Sequence, residues 1–348
     1  MLLKEIISAS ILKHPDGEVH IDELANGTRR LTVRCFDEST YIPTQSCETS
    51  YPLELIELTL KVTGPAWLCD AILRDEEPQY VKDEIKTNLF AYLAEADFVG
   101  KRLLDFGCGS GASTICLGEL LPATETVGVE LDAKLVSLAR ARAQYYGLGV
   151  TFRISPSGTE LPDDIGEFDF CMMSAVYEHL LPDERPIILS EIWSCLKPGG
   201  VLFINQTPHR YYPVETHSTG LPLINYLPDG LAFPLARKLS RFTNMGSQTN
   251  QELLRGGIRG GTESEILRII NKSSPFRPIL LEPSQGSYRD RIDLWYSRLN
   301  PRRWRIAKSL LKGTLKAIKA VSGYVLLQNL TLAIKKEANP VQVANRKK

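Results

Sequence analysis

From Lys101 onward the chain alternates short apolar runs rich in β-formers (RLLDF, TVGVE, VTFRI, FDFCMM and VLFIN) with stretches of helical spacing. A strand that reads as a continuous apolar run is buried on both faces, and a parallel sheet covered by helices on both sides provides that burial. RPILLE (277–282) and NLTLAI (329–334) complete the strand candidates. The expected architecture is α/β, a mostly parallel seven-stranded sheet with helices on both faces.

The flanking segments read differently. Residues 18–35 alternate around Asn26-Gly27, the short-range signature of a hairpin. From Leu53 to Leu93 the spacing turns helical, with breaks at Gly64-Pro65 and Pro78. The expected organisation is an N-terminal hairpin and helical cap over 1–98, a main domain over 99–336, and a frayed tail over 337–348. Two insertions interrupt the main domain, at 207–261 and 284–328. The first ends in a glycine-rich stretch, after which Thr262-Glu263-Ser264-Glu265 reads as a capping box opening a helix.

LLDFGCGSGAST (103–114) sets Gly107, Gly109 and Gly111 directly after a strand and before a helix. Glycine there lets the backbone turn tightly and bring its amides close to a ligand. Gly107, Gly109 and Ala112 also satisfy the dinucleotide pattern G-x-G-x-x-A, so the turn alone does not name the ligand. The next strand ends in Glu130, where a carboxylate can take both hydroxyls of a ribose, which points to a nucleoside-containing cofactor. Asp105 discriminates further. A carboxylate beside the turn repels a pyrophosphate and holds a cationic amino group.

With Asp105 included, the chain resembles the class I S-adenosylmethionine-dependent methyltransferases, whose first motif is Asp-x-Gly-x-Gly-x-Gly. The resemblance continues through FDFCMMSAVYEHLLPDE (168–184), LKPGGVLFI (196–204) and TESEILRII (262–270), and its nearest branch is that of the ubiquinone-pathway O-methyltransferases. It implies a Rossmann-like fold and S-adenosyl-L-methionine as cofactor. Asp105 would orient the methionine amino group, with Phe106, Gly107, Cys108, Gly109 and Gly111 around the methionine portion. Glu130 would bind the ribose hydroxyls and Leu131 would pack on adenine. Ser174, and Ala175 after it, would lie near the sulfonium. Where many relatives supply a carboxylate to adenine, this chain has Ser155 and Ser157, of which Ser157 is the candidate contact.

His179, His209 and His217 fall in loops at the carboxyl end of the sheet, where ligands bind in open α/β folds. Methyl transfer from a sulfonium is an in-line displacement; the protein aligns acceptor and methyl and, for an oxygen acceptor, removes a proton. His217 is the first candidate for that base, with Glu178 and His179 beside it; a loop-ordering hydrogen bond is the competing role for His217. Some relatives use a Glu-x-x-Glu-His pattern and a later histidine to hold a divalent ion. Here Ala175 replaces the first glutamate, so no metal is expected.

Arg298 to Lys319 holds eight Lys or Arg and no acid. On a helical wheel Lys308, Lys312, Lys316 and Lys319 share one face, and Ile306, Leu310, Leu311, Ile318 and Val321 lie opposite. The expected packing buries the apolar stripe on the domain and leaves the lysines in water; the alternative is peripheral membrane contact through 302–327.

Charge and cysteine content bound the function. The 41 basic and 41 acidic residues cancel overall, yet 289–348 carry 15 basic and 3 acidic residues, or +12, so 1–288 carry −12. That balance argues against a uniformly basic nucleic-acid binder. Seven cysteines with no Cys-x-x-Cys pair, no leader-like N-terminus and no apolar run of about 18 residues point to a cytoplasmic protein, with peripheral membrane attachment left open. The expected function is S-adenosylmethionine-dependent O-methylation of a small-molecule or lipid-linked acceptor. The alternatives are a small-RNA methyltransferase, a non-catalytic ligand-binding protein that keeps the fold, and a dehydrogenase.

Overall fold

A computed structural model describes residues 6–241, 245–299 and 303–340. Residues 341–348 of the expected tail, and Arg302 of the basic segment, lie outside the described residues. The chain opens with a four-stranded antiparallel sheet, β1 (Ile6–His14), β2 (Gly17–Leu24), β3 (Arg29–Cys35) and β4 (Ser46–Thr49), in that spatial order. The expected hairpin is its centre. β2 and β3 join through a tight loop in which Gly27 takes φ 81°, a left-handed value that glycine adopts without steric cost. Helix α1 (Leu53–Glu76) covers this sheet and bends at Gly64-Pro65, where Gly64 leaves helical geometry at φ 71°.

Helix α2 (Gln79–Leu89) belongs elsewhere. Ile85 and Leu89 pack with Phe98 against Leu103, Phe170 and Phe203 of the second sheet. The division expected at residue 98 therefore falls inside a packed unit. That sheet contains β5 (Arg102–Phe106), β6 (Glu125–Glu130), β7 (Thr151–Ile154), β8 (Phe168–Ser174), β9 (Leu196–Pro208), β10 (Pro278–Leu281) and β11 (Asn329–Lys336). The order is β10-β11-β9-β8-β5-β6-β7, parallel from β9 to β7, with β11 antiparallel to both of its neighbours.

Period-two alternation divides the core. Along β8, Phe170 and Met172 face α2 and α3 (Ala112–Leu120), whereas Cys171 and Met173 face α5 (Glu184–Cys195) and α8 (Glu263–Ser273). Helix α4 (Ala133–Tyr145) packs beside α1, and its Leu138 joins the core of the N-terminal unit. In the insertion after β9, α6 (Asp229–Leu239) and α7 (Asn250–Arg255) enclose a small core around Phe233 and Leu253.

The second insertion holds α9 (Arg291–Ser297) and α10 (Arg305–Ser322), and here the expected packing is reversed. Lys312, Lys316 and Lys319 face inward to Asp293, Asp290 and Glu282, while Ile306, Leu310, Leu311, Ile318 and Val321 are exposed. The acids that capture the lysines come from outside the helix, so its own wheel does not reveal them.

Candidate functional site

β5 ends in the glycine turn, where Gly107 has φ 73° and Gly111 φ 91°. A Cβ on Gly107 would stand 2.5 Å from a Val176 methyl, and one on Gly111 2.8 Å from the Ala139 Cβ, so both positions require glycine twice over. Asp105 is buried beneath the turn. Its Oδ2 accepts from Ser113 Oγ (2.6 Å) and Thr114 Oγ1 (2.7 Å), which tie it to the first turn of α3. Burial pushes its pKa up to about 6, with the two hydroxyls pulling the other way.

Glu130 closes the same turn from β6. Its Oε2 accepts from the Gly109 amide (2.9 Å), and its Oε1 accepts from the amides of Leu131 (2.7 Å) and Asp132 (3.1 Å). Leu131 is exposed beside it. Ser157 is committed to its own loop, within 3.1 Å of the Glu160 carboxylate and 3.2 Å of the Thr159 hydroxyl. Glu160 is thus a carboxylate in the loop after β7 that the sequence reading passed over.

A cavity of about 650 Å³ opens beside the turn, within the usual size of a small-ligand site. One wall is Gly107, Cys108, Gly109, Ser113 and Ser174, as the motifs imply. The other comes from α1, α2 and the link between them, including Asp70, Arg74, Glu77, Tyr80, Glu84 and Asn88, which no motif marked. Arg74 pairs with Asp70 (3.0 Å) and Arg298 with Glu84, so Glu77 is the carboxylate of this wall without a cation partner among the described residues. Asp105, Phe106, Gly111, Glu130, Leu131 and Ser157 do not line the cavity; Asp105 and Glu130 reach it through the bonds just described.

The floor is formed by the ends of β8 and β9. Ala175 (φ 54°) and Gln206 (φ 59°) are both held in left-handed conformation, and the Ala175 amide donates to the Asn205 carbonyl. Strain at adjacent strand ends is stored where side chains must be aimed. Asn205, buried at 1% exposure, lines the cavity with neither amide atom hydrogen-bonded. A buried amide without partners marks a place for a ligand's polar group. Gln206 Nε2 donates to Glu84 Oε2 (3.0 Å), and Glu84 also pairs with Arg298.

Next to Gln206, Thr207 Oγ1 donates to Glu178 Oε2 (3.0 Å). Glu178 is buried, its Oε1 has no hydrogen-bond partner and stands 3.9 Å from His179 Nε2, and burial raises its pKa. His179 Nδ1 sits 2.6 Å from the Arg255 carbonyl, which fixes the ring and leaves Nε2 free to face inward. The His179 and His217 ring centres are 5.3 Å apart. Burial, then the neighbouring His179, lowers the His217 pKa. The structure thus brings together all three residues singled out for the reacting side, although they stand behind the cavity floor, outside its lining.

The trio offers two imidazole nitrogens and a carboxylate oxygen within 4.8 Å of one another, a set able to hold a zinc-type ion. The bare Glu178 Oε1 fits that use, whereas Ala175 leaves a magnesium ion short of oxygen. His209 is apart, buried at the start of the insertion, with its Nδ1 accepting from the Tyr211 amide.

Residues 103–200 match the model of a family described as "Methyltransferase domain". A curated relative, the ubiquinone biosynthesis O-methyltransferase of Xanthomonas axonopodis pv. citri (strain 306), is 32% identical over 121 residues, covering 34% of this chain and 49% of the relative. The demethylmenaquinone methyltransferase of Thermus thermophilus is 31% identical over 108 residues, covering 31% of this chain and 48% of that protein. The chain spans about half the length of these relatives. Among solved structures, PKMT2 from Rickettsia typhi in complex with AdoHcy aligns with TM-score 0.42 and 16% identity, covering 74% of this chain and 53% of that one.

Proposed function

We propose that residues 103–200, which match the methyltransferase-domain family, form a class I S-adenosylmethionine-dependent methyltransferase domain, and that the protein transfers the methyl group of S-adenosylmethionine to an oxygen of a small or lipid-linked acceptor. The observation that carries the reading is the cavity closed on one side by the glycine turn, with Asp105 buried beneath it, and floored by Ser174, Asn205 and Gln206. When bound, the cofactor supplies the methyl sulfonium. Asp105 has hydrogen bonds from neutral hydroxyls and is the buried charge that a cationic amino group would compensate, with Ser113 between it and the cavity. Glu130, bonded to the Gly109 amide, and exposed Leu131 lie just outside the lining, and the ribose and adenine would extend to them past Gly109.

On the acceptor side, Asn205 fixes a polar group. An acceptor that reaches past the floor to the Glu178, His179 and His217 cluster gives up its proton to His217, which lies outside the cavity lining. Its lowered pKa keeps the ring neutral, and so able to accept, at neutral pH. The weak similarity to ubiquinone-pathway enzymes supports oxygen as the acceptor atom and an acceptor attached to a lipid. Peripheral contact with a lipid surface is consistent with that acceptor.

The test follows a labelled methyl group from S-adenosylmethionine into fractionated extract. Label is expected in the organic phase, with His217→Ala losing about a hundredfold or more in rate and little in cofactor affinity. Label in RNA would contradict the acceptor class, and equal loss of rate and affinity would contradict the base. Transfer that survives a chelator supports proton removal by His217 alone; transfer abolished by it moves the trio to metal binding.

A further inference from the structure

We infer that α10 is a membrane-docking element that enters the headgroup layer of an anionic lipid surface with its apolar face, while its lysines serve to fasten the helix to the protein. The inward side settles which face is which. Lys312 Nζ lies 2.7 Å from Asp293 Oδ1 and 4.5 Å above the Tyr296 ring, Lys316 Nζ 2.8 Å from Asp293 Oδ1, and Lys319 Nζ 2.8 Å from Glu282 Oε1. Leu315, in the midst of these lysines, is the buried residue of the helix and packs with Ile292, Val325 and Leu327.

The outward side carries the exposed Ile306, Leu310, Leu311, Ile318 and Val321, with Gly313 and Thr314 exposed among them. Ile306 is 78% exposed, Leu310 68% and Val321 90%. At ~100° per residue these three fall within a narrow sector, with Ala317 inside it. Trp304 stands exposed at one end and Tyr324 at the other, the placement of aromatic rings at a membrane interface. Eighteen residues extend about 27 Å, which suits a helix lying in the plane of the surface.

Charge chooses the occupant. From Arg303 to Lys336 there is no acidic residue, and Arg303 and Arg305 are exposed beside Trp304. A second copy of the chain packed antiparallel on α10 would set this cationic end against another acid-free segment. Anionic headgroups supply the counter-charge, at about 1 kcal/mol for each basic residue near the surface, or about fivefold in affinity. The helix is also linked to the reacting side: Arg298, between α9 and α10, pairs with Glu84 in the cavity wall. Docking would therefore hold the cavity near the surface that carries a lipid-linked acceptor, although the docking itself rests on α10 alone and not on the activity.

The experiment is co-sedimentation of the full chain with phosphatidylcholine vesicles, with and without phosphatidylglycerol. Binding is expected when phosphatidylglycerol is present, with a blue shift in fluorescence that Trp304→Phe removes. Leu310→Asp with Val321→Asp, both at exposed positions, should lower the bound fraction about tenfold or more. Lys312→Gln should leave the shift at saturating lipid in place. Calorimetry with S-adenosylmethionine on the same preparations keeps the two proposals apart, since it is expected unchanged in every α10 variant that folds. Absence of sedimentation by the parent protein would overturn docking. So would a concentration-dependent dimer abolished by the same aspartates, which would assign the face to a second copy.

Discussion

At the scale of single residues, the chemistry is concentrated in side chains placed under strain. Asp105 is the clearest case, because a carboxyl whose folded pKa rises to about 6 costs the empty protein stability once it ionises. The contribution is fully present below the unfolded pKa, near 4, and is lost as pH rises through about 6, a difference of roughly 3 kcal/mol. Asp105→Asn should therefore raise stability in urea at pH 8 relative to the parent, with little gain at pH 4, and weaken S-adenosylmethionine binding at pH 8 more than at pH 4, where the parent carboxyl is already neutral. A variant less stable at pH 8 would refute the argument. The glycine motif, Asp105 and Glu130 were legible because close backbone approach and a strand-end carboxylate leave fixed spacings. Asn205 was not, since an unpartnered amide is visible only once its surroundings are folded.

At the scale of elements, strands with apolar runs were legible and short or exposed ones were not. β1 is an edge strand with nearly every residue exposed, and β4 has four residues, so neither carries a periodic signal. The amphipathicity of α10 was equally legible, but which side meets the protein depends on Asp290, Asp293 and Glu282, which lie outside the helix. Burial of Asp293 acts to raise its pKa, yet hydrogen bonds from Lys312 and Lys316 outweigh this and hold it at about 2. A depressed carboxylate stabilises above its unfolded pKa and loses that contribution as pH falls through its folded one. Amide protection of 305–322 should accordingly hold at pH 5 and above and decline between about 4 and 2. In Asp293→Asn it should be weaker at neutral pH as well. Protection in that variant equal to the parent's would remove these pairs as the anchor.

At the scale of the whole molecule, the N-terminal sheet unit is joined to the cofactor turn through one buried side chain. Arg142 of α4, fully buried, places Nε 3.0 Å from Asp75 Oδ2, donates from Nη2 to the Ala71 carbonyl (2.9 Å), and from Nη1 to Ser110 Oγ (2.7 Å). Asp75 also accepts from Tyr51 (2.5 Å). Ser110 lies in the turn and lines the cavity, so the unit that hairpin alternation and helical spacing set apart as a cap is continuous with the site. Arg142→Leu leaves Asp75 buried without its cation and should cost about 3–5 kcal/mol in chemical denaturation. It should also weaken cofactor binding; Asp75→Asn should do so less.

All three scales meet in the claim that the cavity between α1, α2 and the glycine turn holds S-adenosylmethionine. Titration calorimetry of the full chain with S-adenosylhomocysteine, the demethylated product, tests it most directly. Saturable binding at one site, weakened in Asp105→Asn and unaffected by NADH, is the expected result. No heat of binding, or displacement by NADH, would contradict the account.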